Sequence, residues 1–186
     1  MVAMDDESSE MELKKAKVKP VTVTVPFKAD FVGTYMAGTG PNSECGECPT
    51  DANGVPIGPE CWGIVINDDE GTGTHLGKFT HHFEFCVEFI SGIYPGTTGH
   101  MEAWFVAANG DKLFVACSGQ VLNGRLDYHP EDVNSYFKDP FEILGGTGKF
   151  KGATGSGWTD DYNRDSYPAN SFHHWTGTIT MVKGKK

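Results

Sequence analysis

The feature that most constrains the fold is a run of two-residue alternation, HLGKFTHHFEFCVEF, from His75 to Phe89. Successive side chains of a β-strand point to opposite faces, so a period of two indicates a strand with one buried face. All the phenylalanines of this run share one parity. We therefore predict one inward-facing set, which consists of His75, Gly77, Phe79, His81, Phe83, Phe85, Val87 and Phe89.

Similar strand patterns recur along most of the chain. The first such pattern is VTVTVPFKADFVGTY, from residue 21, and the last is SFHHWTGTITMV. Between them, Asn109-Gly110 marks a tight hairpin. The pattern gives about eight antiparallel strands and almost no support for helix. It predicts an all-β fold, an eight-stranded antiparallel barrel, with a β-sandwich as the alternative.

Length and charge limit the domain organisation and the partners. The 186 residues suffice for one domain, predicted over 21–186, with a cysteine-containing loop at about 36–60. Residues 1–20 form an acidic block and a lysine block, which predicts a disordered charged tail. The formal charge of −10 disfavours nucleic acid as a partner, and no apolar stretch is long enough for a membrane span.

The glycine-rich stretch GGTGKFKGATGSG, residues 145–157, invites comparison with a phosphate-binding loop. Such a loop needs Ser or Thr after its lysine, but Phe150 follows Lys149 here. We therefore interpret the glycines as a tight corner that Phe150 covers from the core, and we expect no cofactor.

Four motifs together resemble the allene oxide cyclase barrel family, and its bacterial members most of all. They are GGTGKFKGATGSG, GTGTHLGKFT, AANGDKLF and FHHWTGTIT, and the resemblance runs from about Gly63 to Thr180. Dirigent proteins share a similar GGTG-x-F corner. The resemblance implies an eight-stranded barrel with an apolar lumen, often trimeric, in which plant members cyclise a fatty-acid epoxide without a cofactor.

The residues of the plant reaction do not carry over. Those enzymes use a glutamate and an asparagine on the first strand and a cysteine inside the barrel. Here the first strand offers Asp30 without that pair, and Phe83 takes the place of the cysteine. Two functions remain open: a cofactor-independent isomerase or cyclase acting on an apolar substrate in the lumen, and a non-catalytic lipocalin-like ligand-binding or structural barrel.

Most candidate site residues come from the inward parity of the 75–89 run. The others, Met101 and Phe105, come from the hairpin at 100–121, whose two faces are both apolar, so its inward face stays unassigned. His81 and His75 are the catalytic candidates, because a neutral imidazole in an apolar lumen can act as a general base. The alternative for His81 is a core histidine bonded to a backbone carbonyl.

His173 and His174 are adjacent on a strand and should face opposite sides, so we predict no shared metal ion. The predicted contacts to a small apolar or amphipathic ligand are Phe79, Phe83, Phe85, Met101 and Phe105.

Five cysteines bear on the cellular compartment. Cys45, Cys48 and Cys61 lie in one loop, where a single disulfide is favoured over zinc because a fourth metal ligand is missing. This predicts three free thiols: one in the loop, Cys86 and Cys117. A disulfide favours an extracellular or periplasmic location, and free thiols would favour the cytoplasm.

Overall fold

The predicted strands close into a barrel, so the barrel prediction is confirmed and the sandwich alternative is wrong. The structure is a computed structural model that describes residues 21–39, 45–94, 101–165 and 170–183. The predicted tail, 1–20, lies outside the described residues. Within these ranges no helix has the length and apolarity needed to cross a membrane. The strands are β1 (Thr22–Thr39), β2 (Trp62–Gly73), β3 (Gly77–Glu88), β4 (Ile93–Tyr94), β5 (Met101–Ala107), β6 (Lys112–Cys117), β7 (Gly119–Gln120), β8 (Leu122–Asn123), β9 (Val133–Phe137), β10 (Pro140–Gly146), β11 (Thr154–Thr159), β12 (Asp161–Arg164) and β13 (Ser171–Val182).

Eight of these strands form the closed ring. Their order is β1–β2–β3–β5–β6–β10–β11–β13, all antiparallel, and β13 pairs back onto β1. The first residues of β13 pair instead with β12, which continues to β9 and β8. Strands β8, β9 and β12 therefore extend the wall at one end, which we call the mouth. The opposite end is the base.

The base is filled by side chains. Phe27, Phe105, Phe141 and Ile179 are completely buried, and the rings of Phe27 and Phe141 lie 5.8 Å apart. Phe150 is also completely buried, in a 3₁₀ turn between β10 and β11. The predicted role of Phe150 is therefore confirmed. Interior packing of this kind is expected for a barrel of eight strands.

The glycine corner has a steric reason at one position in particular. Gly148 has a φ of +51°, and a Cβ there would collide with the carboxylate of Asp111. That carboxylate accepts the backbone N–H of Lys149, 3.1 Å away. The corner is held by backbone geometry, in agreement with the structural interpretation of the glycines.

Two disulfides fix the cysteine loop on the outside of the mouth. They join Cys45 to Cys86 and Cys48 to Cys61, so only Cys117 is free among the described residues. The preference for a disulfide is confirmed, but the prediction of three free thiols is wrong. Cys86 lies on the outward parity of β3, where the cysteine loop can reach it. The parity of Cys86 in the sequence does not by itself indicate that the loop covers this position.

Strand β2 is longer than its residue composition indicates. Its residues 68–73, which look like a turn, continue the strand in full register with β3 from Trp62↔Glu88 to Gly73↔Gly77. The turn falls on Thr74 to Leu76, and His75 there has a φ of +66°. His75 is therefore exposed outside the barrel, because the alternation of β3 begins only at Gly77.

Candidate functional site

A layer of polar side chains crosses the interior halfway between base and mouth. We call it the polar layer. Every member has at most 6% of its surface exposed, although residues of these types are seldom buried without partners. The layer draws on β2, β3, β12 and β13, and its members are Asn67, Asp69, His81, Asp161, Ser171 and His173.

Asp69 and His81 form one pair within this layer. They face each other across β2 and β3, and Nδ1 of His81 donates to Oδ2 of Asp69 over 2.8 Å. The side chain of Asp69 has room because its paired residue on β1 is Gly33. A Cβ at that position would collide with the carboxylate. The carboxylate fixes the ring tautomer, so Nε2 of His81 carries the lone pair.

Asp161 organises the second half of the layer. Its Oδ2 accepts from Nδ1 of His173 at 2.9 Å and from the indole N–H of Trp175 at 3.0 Å. The second nitrogen of the same imidazole, Nε2 of His173, lies 2.7 Å from Oγ of Ser171. The amide nitrogen of Asn67 then donates to Oγ of Ser171 over 3.3 Å. A continuous hydrogen-bonded chain therefore runs from Asp161 to Asn67.

The two buried histidines have opposite pKa shifts. Burial lowers the pKa of His81 below 6.5, and the contact with Asp69 only partly offsets it. Burial also acts to lower the pKa of His173, but the carboxylates of Asp161 and Asp69 outweigh it and raise that pKa above 6.5. Asp69 lies 3.7 Å from Nε2 of His173. The surroundings therefore disfavour the charged form of His81 and favour the charged form of His173.

A pocket of about 330 Å³ opens above the polar layer at the mouth. We call it the mouth pocket. Its wall is aromatic and aliphatic, and its floor and rim carry amide and hydroxyl groups. The described residues that line it are Tyr35, Val65, Asn67, Phe83, Phe85, Val87, Phe89, Ile90, Ser91, Gly92, Tyr94, Val121, Asn123, Ser135, Phe137 and Asn163.

The rim of the mouth pocket is tied to the cysteine loop through Glu88. Its carboxylate accepts the backbone N–H groups of Cys61, Ile90 and Ser91 at 2.7, 3.1 and 2.6 Å. Together these hydrogen bonds outweigh the effect of burial and lower the pKa of Glu88 to about 2. The turn after β3 is therefore held in place by an ionised side chain.

The predicted ligand contacts divide between two places. Phe83 and Phe85 line the mouth pocket, as an interior position on β3 allows. Phe79 and Phe105 lie in the packed core with ring centroids 5.0 Å apart, and Met101 packs at the edge of this core. The inward face of β5 is therefore Met101, Ala103, Phe105 and Ala107, which the sequence left unassigned.

The histidines that the sequence singled out differ in their exposure. His81 is buried as predicted, but it bonds to a carboxylate rather than to a backbone carbonyl. His173 is buried and His174 is exposed beside Asp30, so the predicted opposite orientation is confirmed. His82 faces outward and stacks on Trp104 at 4.6 Å, next to an open groove of about 520 Å³ over β1, β2, β3 and β5.

Sequence reasoning missed Asn67, Asp69, Asp161 and Ser171. The signal for the first two was their parity, since Gly63, Val65, Asn67 and Asp69 alternate along one strand. Asp161 and Ser171 gave no comparable signal, because each stands at the very start of its strand.

Comparisons with known proteins leave the chain without an assigned family. No protein-family model and no curated protein matches it. Among solved structures, the chain is similar to the structure of the pterocarpan synthase dirigent protein, with 14% sequence identity and a TM-score of 0.41. The match covers 97% of this chain and 98% of that chain. At so low an identity and TM-score, function has to be inferred from the geometry of this chain.

Proposed function

We propose that this chain is a ligand-binding barrel that holds a small amphipathic molecule in the mouth pocket. The observation that carries the proposal is the pocket itself, with an apolar wall above a polar floor. Its volume of about 330 Å³ lies at the lower end of the range for small-molecule sites. Phe83 and Phe85 offer apolar contact on one side, and Asn67 offers a hydrogen-bonding group on the other.

The mouth pocket is a better candidate than the rest of the interior or the outer groove. The base of the barrel is packed around fully buried Phe105 and Phe141, which leaves no place for a ligand among them. The outer groove is larger but open, and its His82 is already bonded to Asp68 at 2.8 Å. A cleft that encloses most of a ligand gains more from burial than an open surface does.

Cofactor-independent isomerisation or cyclisation is the second candidate function. The His81–Asp69 pair supports it, because a carboxylate-oriented neutral imidazole is suited to abstract a proton. Nε2 of His81 is buried without a hydrogen-bond partner. Catalysis there requires the reacting end of the substrate to pass below the floor of the mouth pocket. Binding alone has no such requirement and is therefore the preferred function.

The compartment and the assembly belong to the same proposal. Two disulfides support an oxidising compartment, extracellular or periplasmic, because thiols stay reduced in most cytosols. Association into a homotrimer stays a prediction, and native mass spectrometry measures it directly.

Native mass spectrometry of freshly purified protein tests ligand binding. We expect a retained small molecule, and we expect Asn123→Trp at the exposed rim to abolish its retention by plugging the mouth. Asn53→Trp, in an exposed turn of the cysteine loop, is the matched control and should retain it. Equal retention by both variants would contradict the mouth pocket as the site.

Isotope exchange separates catalysis from binding. When the retained molecule is incubated in D₂O, a proton-transferring enzyme introduces deuterium at carbon, and His81→Gln should stop this. His82→Gln is the matched control because that side chain faces outward. Binding without exchange would leave the storage function and exclude acid–base catalysis by His81.

A further inference from the structure

The polar layer contains three buried atoms that lack hydrogen bonds, and all three are acceptors. Among the described residues these are Oδ1 of Asn67, Oδ1 of Asp69 and Nε2 of His81. Buried polar atoms are nearly always satisfied, by the protein or by a bound molecule. A set that consists only of acceptors calls for a hydrogen-bond donor.

Asn67 is the member of this set that reaches the mouth pocket. It lines the pocket, and its amide nitrogen donates to Ser171. This hydrogen bond identifies the carbonyl oxygen as the end of the amide without a partner. Ser171 is held in turn by His173 at 2.7 Å. The amide of Asn67 therefore keeps its carbonyl oxygen for a partner other than Ser171.

The charges around the pocket disfavour an anionic partner. The described residues that line it include no lysine, arginine or other charged side chain. On β2, the carboxylate of Asp69 lies on the same inward face as Asn67, two residues further along the strand. A carboxylate ligand would lose its hydration without a lysine, arginine or histidine in the described lining to pair with, and an uncharged donor avoids that cost.

We propose that the mouth pocket selects an uncharged amphiphile whose polar end donates a hydrogen bond, and that Asn67 is the residue that selects it. The inference rests on the proposed binding function. The aromatic wall holds the apolar body, and a hydroxyl or amide N–H of the ligand donates to Oδ1 of Asn67. This oxygen is buried, so binding includes a small rotation of the amide toward the pocket, as side chains at binding sites commonly make.

Three probes that share a naphthalene body and differ in their polar end test the inference by calorimetry on the wild-type chain. They are 2-naphthalenemethanol, its methyl ether and 2-naphthoate. We expect the alcohol to bind about tenfold more tightly than the ether, since a buried hydrogen bond is worth about that much, and the carboxylate to bind weakest. Equal affinity for alcohol and ether, or tightest binding of the carboxylate, would overturn the inference.

Variants locate the selectivity. Asn67→Ala should reduce the affinity for the alcohol to that for the ether. Asn163→Ala is the matched control, because this asparagine lines the same pocket and its amide nitrogen donates to Ser135 at 3.0 Å, but its carbonyl oxygen is not among the buried atoms that lack a hydrogen bond. It should keep the preference for the alcohol. A preference that survives Asn67→Ala overturns the role of Asn67, whereas failure of all three probes to bind the wild type overturns the proposed binding function as well.

Discussion

At the scale of single residues, the two buried histidines predict an unusual pH dependence. His81 has a pKa below 6.5, so its contribution to stability falls as the pH drops below that value, because the unfolded chain takes up the proton. His173 has a pKa above 6.5, so its contribution is complete below 6.5 and is lost as the pH rises through the folded-state pKa. For these two groups, the free energy of unfolding should peak near pH 6.5.

NMR titration of the imidazole signals, with urea unfolding from pH 5 to 8, checks this prediction. His81→Gln should flatten the acidic limb of the stability curve and His173→Gln the alkaline limb. Titration of both imidazoles at the same pH would contradict the opposite environments that the structure gives them.

At the scale of elements, the corner between β10 and β11 depends on one ring. Phe150 is completely buried, so Phe150→Ala should lower the free energy of unfolding by about 3–5 kcal/mol, as truncation of a buried phenylalanine does. Phe114, which is 37% exposed on β6, is the matched control. Phe114→Ala should change stability by about 0.5 kcal/mol or less. Equal losses in urea denaturation would mean that the corner does not need its aromatic side chain.

The elements also show what alternation can and cannot predict. The inward face of β3 from Phe79 to Val87 followed from parity alone, because a one-residue shift would place every phenylalanine in water. His75 shares that parity and was wrongly placed, because parity does not mark where a strand begins. The left-handed backbone at His75 belongs to a turn, and glycine or asparagine would have indicated it more clearly.

The polar layer could not be predicted for a different reason. Asp69 stands in NDDEGTG, a composition typical of turns, and its burial is stable only because His81 and Gly33 meet it across neighbouring strands. Such compensation depends on strand order and register, which local sequence does not reveal. The same holds for Cys86, whose partner lies 41 residues away.

At the scale of the whole molecule, the disulfides predict a distinct pattern of thiol reactivity. Native protein should show no reactive thiol, because Cys117 is buried and burial raises the pKa of its thiol. Denatured, non-reduced protein should show one, and reduced protein five. Reduction should lower the free energy of unfolding by about 3 kcal/mol or more, since even a loop of about fifteen residues is worth that much in the entropic model.

Ellman titration with and without denaturant, and urea melts with and without reductant, measure these quantities. The variant Cys117→Ser should remove the single denatured-state thiol and leave the effect of reductant unchanged. Three thiols in denatured, oxidised protein would contradict the pairing of Cys86.

The closure of the ring between β1 and β13 has a consequence for biosynthesis. These strands pair Thr22 with Val182 and Gly33 with Ser171, so the ring cannot close before β13 has been made. Until then, β1 presents the open edge of an alternating valine and threonine segment, and such edges recruit other chains. Contacts between residues so distant in sequence also form slowly. Both disulfides, in contrast, join residues between Cys45 and Cys86, so oxidation can lock the first strands together while the nascent barrel is still open.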